Sequence, residues 1–291
     1  MLPDPRSVIP EKVADFPGYT EGIAFDDLGT AYVSVGRNPE SEHSVYRIRP
    51  GRAPEPWLPV RVPNGHKVLG DGTHVVAGDG VVLHVAQDGR VINSLMADRT
   101  GTPLHHPNDI ALDGHGGFYV TDPGSGDPDH RDGRVFYVDS AWTVSVGAEG
   151  FCFPNGLVVR ADGRALYLGD GCDGGLYLLA IAEPGRLGRR EVLATVSDSP
   201  DAGPDGMTLD ASGRLYVAHY GTGRIEVFDP GGKLMAQYAA GNQLVSNVAF
   251  GGPDLGDLYV TGAPGAKSGP GALFRLRLGV RGRASTALPA R

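Results

Sequence analysis

One pattern recurs six times along this chain: an apolar strand, a turn built from Asp and Gly, and a second strand rich in Tyr and Val. The six copies are "EGIAFDDLGTAYVSVG" from Glu21, "GHKVLGDGTHVVAGDG" from Gly65, "NDIALDGHGGFYVTDPG" from Asn108, "NGLVVRADGRALYLGDG" from Asn155, "DGMTLDASGRLYVAHYG" from Asp205 and "SNVAFGGPDLGDLYVTGA" from Ser246. Their spacing of roughly 42 to 50 residues is that of a propeller blade or a comparable repeating unit. A further strand pair follows each copy, as in "GRVFYVD", "GGLYLLAI", "GRIEVFDP" and "GALFRLRL". Four strands per repeat and six repeats predict an all-β chain folded as a six-bladed β-propeller with antiparallel blades. The second copy is the shortest and still keeps both strand pairs. The N-terminal "VIPEKVADF" has no repeat of its own and is expected to supply the outer strand of the last blade, closing the ring and removing an exposed edge. One domain over residues 1–291 is expected, with blades beginning near 21, 65, 108, 155, 205 and 246 and a loose tail at 279–291.

Composition agrees with this reading. Forty-five glycines and 23 prolines punctuate the chain too often for a helical protein. The segments between them favour Val, Leu, Tyr, Phe and Thr, which suit a pleated, half-buried surface. A hydrophobic content of 41% is enough for a real core. The net charge of -8 argues against nucleic acid or an anionic membrane as partner and fits a chain that holds a cation. Only Cys152 and Cys172 occur, and two free thiols in a reducing cytosol are expected. The N-terminus lacks a basic segment followed by an apolar one, and no stretch approaches a membrane span, so a cytoplasmic protein is expected, as a monomer or small homo-oligomer.

In a propeller the first strand of every blade lines the central channel, so the residues that begin those strands point to a common axis. Here they are Glu21, a Gly65/His66 position, Asn108, Asn155, Asp205 and a Ser246/Asn247 position. Two carboxylates and several amides brought together are costly without a partner, because like charges repel and unpaired polar groups lose hydration. A hard divalent cation resolves that conflict. Mixed carboxylate and amide oxygens suit Ca2+ first, with Mg2+ or Mn2+ as alternatives, and the lack of a compact His or Cys cluster counts against a dedicated zinc site. Taken singly, each of these residues also reads as an ordinary turn former at a strand end.

The segments "EGIAFD", "HPNDIALDGHGGFYVTDP", "FPNGLVVRADGRALYLGD", "PDGMTLDASGRLYVAHYGTGRIEVFDP" and "NVAFGG", in this order and spacing, resemble the SMP-30/gluconolactonase family and its related lactonases and phosphotriesterases. The resemblance runs from about Val13 to Leu278. It implies one catalytic divalent metal, with Zn2+ added to the candidates, held by Glu21 in "TEGIAF", Asn155 in "PNGLVV" and Asp205 in "PDGMTL". It also implies that Asn108 in "HPNDIA" touches metal or substrate, and that His106 contacts substrate. Relatives carry Arg or Ser where His106 stands. An imidazole neither clamps a hydroxyl cluster as Arg does nor leaves the space that Ser does, so the substrate is left open.

The resemblance implies hydrolysis of a lactone. The metal would polarise the carbonyl and orient water, and Asp205 would serve as both ligand and general base. A carboxylate on a cation is a weak base, so positioning must supply much of the rate. Loops between the second and third strands are expected to wall the pocket, namely "VGRNPESEHS", "TDPGSGDPDHRDGR", "GDGCDGG", "AHYGTGR" and "GAPGAKSGPG". The third-blade loop, residues 121–134, carries Asp122, Asp127, Asp129, His130 and Arg131 and is the candidate lid or specificity loop. Asp122, His219 and Tyr220 are further candidate substrate contacts, and Cys172 lacks the neighbouring base a nucleophile needs. Two other functions compete: a metal-assisted isomerase, cyclase or lyase in which no water attacks, and a propeller that only binds a small molecule or protein.

Overall fold

The Asp/Gly turns of the repeat are hydrogen-bonded devices. In three blades the carboxylate at the end of the first strand accepts the backbone N–H groups two and four residues on: Asp26 from Leu28 and Thr30, Asp113 from His115 and Gly117, Asp210 from Ser212 and Arg214. The same carboxylates accept a phenol from the repeat's tyrosines, Tyr32 (3.3 Å), Tyr137 (2.7 Å) and Tyr216 (3.1 Å). Each turn thereby satisfies its own backbone and ties itself to a neighbouring strand.

The computed structural model describes residues 1–36, 44–197, 199 and 201–283. The chain is a six-bladed β-propeller with four antiparallel strands per blade. After β1 (Glu11–Phe16), blade one holds β2 (Tyr19–Phe25), β3 (Ala31–Gly36), β4 (Ser44–Ile48) and β5 (Glu55–Pro59). Blade two holds β6 (His66–Val68), β7 (His74–Gly78), β8 (Val81–Val85) and β9 (Val91–Leu95). Blade three holds β10 (Ile110–Leu112), β11 (Phe118–Asp122), β12 (Gly133–Val138) and β13 (Val144–Phe151). Blade four holds β14 (Pro154–Val159), β15 (Ala165–Asp170), β16 (Gly175–Glu183) and β17 (Arg186–Thr195). Blade five holds β18 (Gly203–Leu209), β19 (Leu215–Tyr220), β20 (Arg224–Phe228) and β21 (Leu234–Ala239). Blade six holds β22 (Leu244–Gly251), β23 (Asp257–Ala263) and β24 (Gly271–Arg277), and β1 is its outer strand, paired with β24 from Glu11↔Arg275 to Phe16↔Gly271. The N-terminal segment therefore takes the place the sequence assigns to it.

Two compact units contain these blades. In the unit formed by Met1–His66 and the stretch from Asp205, one apolar cluster joins blades five and six through Tyr216, Ile225, Tyr238, Val248, Leu258 and Leu276. A second cluster joins β1 and β24 to blade one through Phe16, Leu273, Ile23, Val33 and Val35. In the unit Lys67–Pro204, Val75, Val82, Ile110 and Phe136 join blades two and three, and Tyr119, Phe151, Leu157 and Leu168 join blades three and four. Each fully buried Leu, Ile or Phe in such a layer stabilises the fold by roughly 1.5–3 kcal/mol. Apolar layers between sheets hold the blades, and the polar strand ends are left for other work.

Two expectations change. Residues 281–283, placed by the sequence in a loose tail, are docked: the Ala211 N–H donates to Arg281 O (2.9 Å), that of Gly282 to Leu255 O (2.7 Å) and that of Arg283 to Leu209 O (3.0 Å). The rest of that tail, from 284 on, lies outside the described residues, as does most of the "VGRNPESEHS" loop. Cys152 and Cys172, expected as free thiols, form a disulfide with Cα atoms 5.8 Å apart. The hairpin explains it: β14 and β15 pair Pro154 with Asp170, which brings the residue two positions before one strand beside the residue two positions after the other. Among the described residues no helix is long and apolar enough to cross a membrane.

Candidate functional site

Glu21 and Asn155 sit where the ladder of a first strand is interrupted, and Asp205 lies within the first strand of blade five, β18. In blade one the pairing of β2 with β3 jumps from Thr20 to Ile23, leaving Glu21 and Gly22 outside the register. In blade four β14 and β15 skip from Pro154 to Leu157, leaving Asn155 and Gly156. In blade six the break falls between Val245 and Val248, at Ser246 and Asn247. Blade three does the same just ahead of β10, where Asn108 and Asp109 both face Thr121: the Asn108 N–H donates to Thr121 O (2.7 Å) and the Thr121 N–H to Asp109 O (3.0 Å). An extra residue in one strand re-aims a side chain out of the strict alternation, which is how bulges serve sites. The glycine in "EG" is demanded by close approach, since a Cβ on Gly22 would lie 2.8 Å from Gly65 Cα and 2.9 Å from His66 N.

Hydroxyls on neighbouring strands pin these interruptions. Ser246 Oγ donates to Thr20 O (2.6 Å), the carbonyl just before Glu21, and Thr121 Oγ1 donates to Asn155 O (2.8 Å). Ser34 Oγ donates to Asn64 O (2.6 Å) in the same manner at the start of blade two. Glu21, Asn108, Asn155 and Asp205 are all buried, at 5%, 6%, 8% and 8% exposure. The side-chain oxygen of Asn155 is buried with no hydrogen-bond partner among the described residues.

A second device holds the approach to two of these positions. The Asp122 carboxylate, at the end of β11, accepts the N–H groups of His105 (2.7 Å), His106 (3.0 Å) and Gly124 (3.1 Å). Asp170, at the end of β15, accepts those of Cys152 (3.0 Å), Phe153 (2.9 Å) and Cys172 (3.2 Å). The two carboxylates occupy the same place in the repeat, and each grips the backbone two and three residues ahead of an Asn, Asn108 or Asn155. Asp122, read from the sequence as a substrate contact, spends its oxygens on positioning, and Asp170 is an equivalent brace that the sequence reading missed. The paired "TDP" and "GDG" at matching strand ends were the available signal. In blade four the disulfide reinforces the grip.

The same place in blade five is filled by His219. Its Nδ1 lies 3.1 Å from Glu226 Oε1, and Gln237 Nε2 donates to that same oxygen (2.8 Å). His219 and Glu226 are 6% and 5% exposed, and Nε2 of the ring is buried without a hydrogen-bond partner among the described residues. His106 is exposed, with Nδ1 3.1 Å from Asp79 Oδ1. Tyr220 is half-buried and stands 4.9 Å from the Lys267 ammonium, which also lies 5.6 Å from the Tyr19 ring. Tyr19 begins the strand that carries Glu21, so the blade-six loop sets a cation near the start of that strand.

The loop at 121–134 is braced within itself. Ser125 donates to Asp132 through N–H (3.0 Å) and hydroxyl (2.7 Å), and His130 Nδ1 lies 2.6 Å from Asp127 Oδ2. Arg131 reaches Asp173 of the next blade at 3.5 Å. The Asp129 N–H and the His130 ring hold the Asp127 carboxyl below the usual range, and the Ser125 hydroxyl and N–H do the same for Asp132. Its charges are thus turned largely on one another.

Residues 23–264 match the SMP-30/gluconolactonase/LRE-like region. The chain belongs to that family. It is 31% identical to the pentonolactonase XacC of Haloferax volcanii over 72% of this chain and 79% of that protein. It is 26% identical to a 6-deoxy-6-sulfogluconolactonase of Pseudomonas putida, over 72% of this chain and 75% of the relative. The fold is also that of the calcium-binding protein regucalcin from Agrobacterium tumefaciens, with a TM-score of 0.77 at 23% identity, covering 94% of this chain and 96% of that one.

The donor chemistry of this family member fits a hard cation. Glu21 and Asp205 offer carboxylates and Asn155 an amide oxygen that is buried and unbonded, all hard donors. A buried acceptor without a donor costs about 1–3 kcal/mol, which a bound cation would offset. Among the described residues Cys152, Asp170 and Cys172 also place ligand atoms close together, but both sulfurs are spent in the disulfide and the carboxylate on three N–H groups. That cluster is a brace.

Proposed function

We propose that this chain is a metal-dependent lactonase that opens a sugar lactone or another small cyclic ester. Glu21, Asn155 and Asp205 together hold one divalent cation, Ca2+ ahead of Zn2+, Mn2+ and Mg2+. Family membership supports the reaction class, and the relatives named pentonolactonase and sulfogluconolactonase support a sugar lactone as substrate. The observation that carries the metal reading is the buried, unbonded oxygen of Asn155 in the interrupted register of β14. Regucalcin, described as calcium-binding, supports Ca2+ as the first choice.

When bound, the cation supplies a Lewis acid for the lactone carbonyl and for the oxyanion that forms on it. The protein does the rest. Glu21 and Asp205 balance the cation's charge, and the family resemblance implies a proton-acceptor role for Asp205 as well. Asn108 and His106 contact the substrate from blade three, held in place by the Asp122 brace, and His219 and Tyr220 do so from blade five. The test is a pH-stat screen of sugar and aliphatic lactones on metal-stripped protein and on protein reconstituted with each of the four cations. Hydrolysis restored by a cation is expected; a screen with no metal-dependent hydrolysis of any lactone would sink the reading.

A further inference from the structure

We propose that His219, oriented by Glu226, is the proton-transfer residue of the reaction, so that Asp205 is relieved of the base's task and acts as ligand alone. The inference rests on the lactonase reading and deepens it. It starts from a conflict of roles: a carboxylate bound to a cation is stabilised in its charged form and accepts protons poorly.

The structure offers a better-placed kind of group in the same blade. A carboxylate can only accept, so the 3.1 Å contact between His219 Nδ1 and Glu226 Oε1 requires the hydrogen on Nδ1. The neutral ring therefore carries its lone pair on Nε2. That nitrogen is buried and has no hydrogen-bond partner among the described residues, in a residue that is 6% exposed. Gln237 donates to the same Glu226 oxygen at 2.8 Å, which fixes the carboxylate and through it the tautomer and plane of the imidazole. A base oriented by a third group is the arrangement that general-base catalysis uses.

Its place in the repeat brings it to the site. In blade four the structure pairs Asp170 with Pro154, the residue before Asn155. Pro204 and His219 hold the same two places in blade five, one residue before Asp205. Where blades three and four use a carboxylate to grip backbone, blade five substitutes a ring with one nitrogen unspent. The chemistry balances without any further reactant. Nε2 takes a proton from water as the water oxygen bonds to the lactone carbonyl carbon. On collapse the endocyclic C–O bond breaks, and the leaving ring oxygen takes that proton from Nε2, giving the open hydroxy acid and the starting ring.

The experiment compares wild type, His219→Ala, His219→Gln and Glu226→Gln, each loaded with the cation that supports wild-type turnover. For both His219 variants, kcat is expected to fall about 10²–10³-fold with KM within about threefold of wild type. The affinity for that cation by titration calorimetry is expected to be unchanged, and added imidazole should restore at least about tenfold of the His219→Ala loss. Glu226→Gln, which keeps a hydrogen-bond partner but loses the charge, should lose about tenfold in kcat. A His219 variant that keeps kcat within about threefold overturns the assignment, as does a loss that tracks metal release and ignores imidazole. The Gln variant decides if the Ala variant fails to fold. A wild type that hydrolyses no lactone overturns the lactonase reading itself, and the base assignment with it.

Discussion

Blades four and five solve the same local problem with different residues. Both carry a polar residue near the start of the first strand, Asn155 or Asp205, beside the end of the second strand. Blade four does so with Asp170, whose carboxylate accepts three backbone N–H groups, and with a disulfide that joins the segments on either side. Blade five puts His219 at the equivalent position and turns it toward Glu226, leaving one ring nitrogen unspent. One blade devotes the position to holding backbone; the other keeps reactivity in reserve. Within a repeat, a position that departs from the shared bracing residue therefore has a polar atom to spare where the shared residue has spent its own.

That contrast can be broken at several points. The largest effect is expected from Asp205→Ala, which should lower turnover by about 10³-fold or more and release the cation while the β-sheet circular dichroism stays intact; unchanged turnover would remove the carboxylate of blade five from the site. In blade four, Cys152→Ser with Cys172→Ser opens a bridge across a sequence separation of 20 residues, and loop closure alone assigns it about 3 kcal/mol. Thermal denaturation with and without reductant should show that loss in wild type and no effect of reductant in the double variant. Asp170→Ala strands three N–H groups at a fully buried position and should cost about 2–4 kcal/mol, more than Asp122→Ala, whose blade has no disulfide but whose loop is also held by Asp132. Equal losses for the two would mean that the braces are not distinguished by their surroundings. Thr121→Val removes the hydroxyl that holds Asn155 O and should cost about 1 kcal/mol with a measurable drop in cation affinity. The smallest expected change is a KM increase of about fivefold for lactones bearing an anionic substituent on Lys267→Ala, with neutral lactones unaffected, corresponding to about 1 kcal/mol for one charge pair.

Much of the architecture could be read directly from the chain. The two-strand copies and their Asp/Gly turns predict the blades within a residue or two of where β2, β6, β10, β14, β18 and β22 begin, because alternation and turn chemistry are local properties. Glu21, Asn155 and Asp205 stood out because polar residues interrupt otherwise apolar strands at matching places. The roles of Asp122 and Asp170 were not legible in the same way. A carboxylate that will contact a substrate and one that will accept three backbone N–H groups look alike until the loop it grips is folded against it. Cys152 and Cys172 were misjudged for the opposite reason: the expectation came from the compartment a composition suggests, whereas pairing depends on the distance between two strand ends.

The sequence by itself determined the repeat, the turns, the strand that completes the last blade and the polar residues at the strand starts, since each depends on neighbours a few positions away or on a period that counts out along the chain. The tertiary structure decided which polar atoms are spent and which are left over. Asp122 and Asp170 became braces because their hairpins bring loop N–H groups to them, the two cysteines bonded because β14 and β15 pair at their ends, and β20 supplied Glu226 to one nitrogen of His219 while no described residue bonds the other.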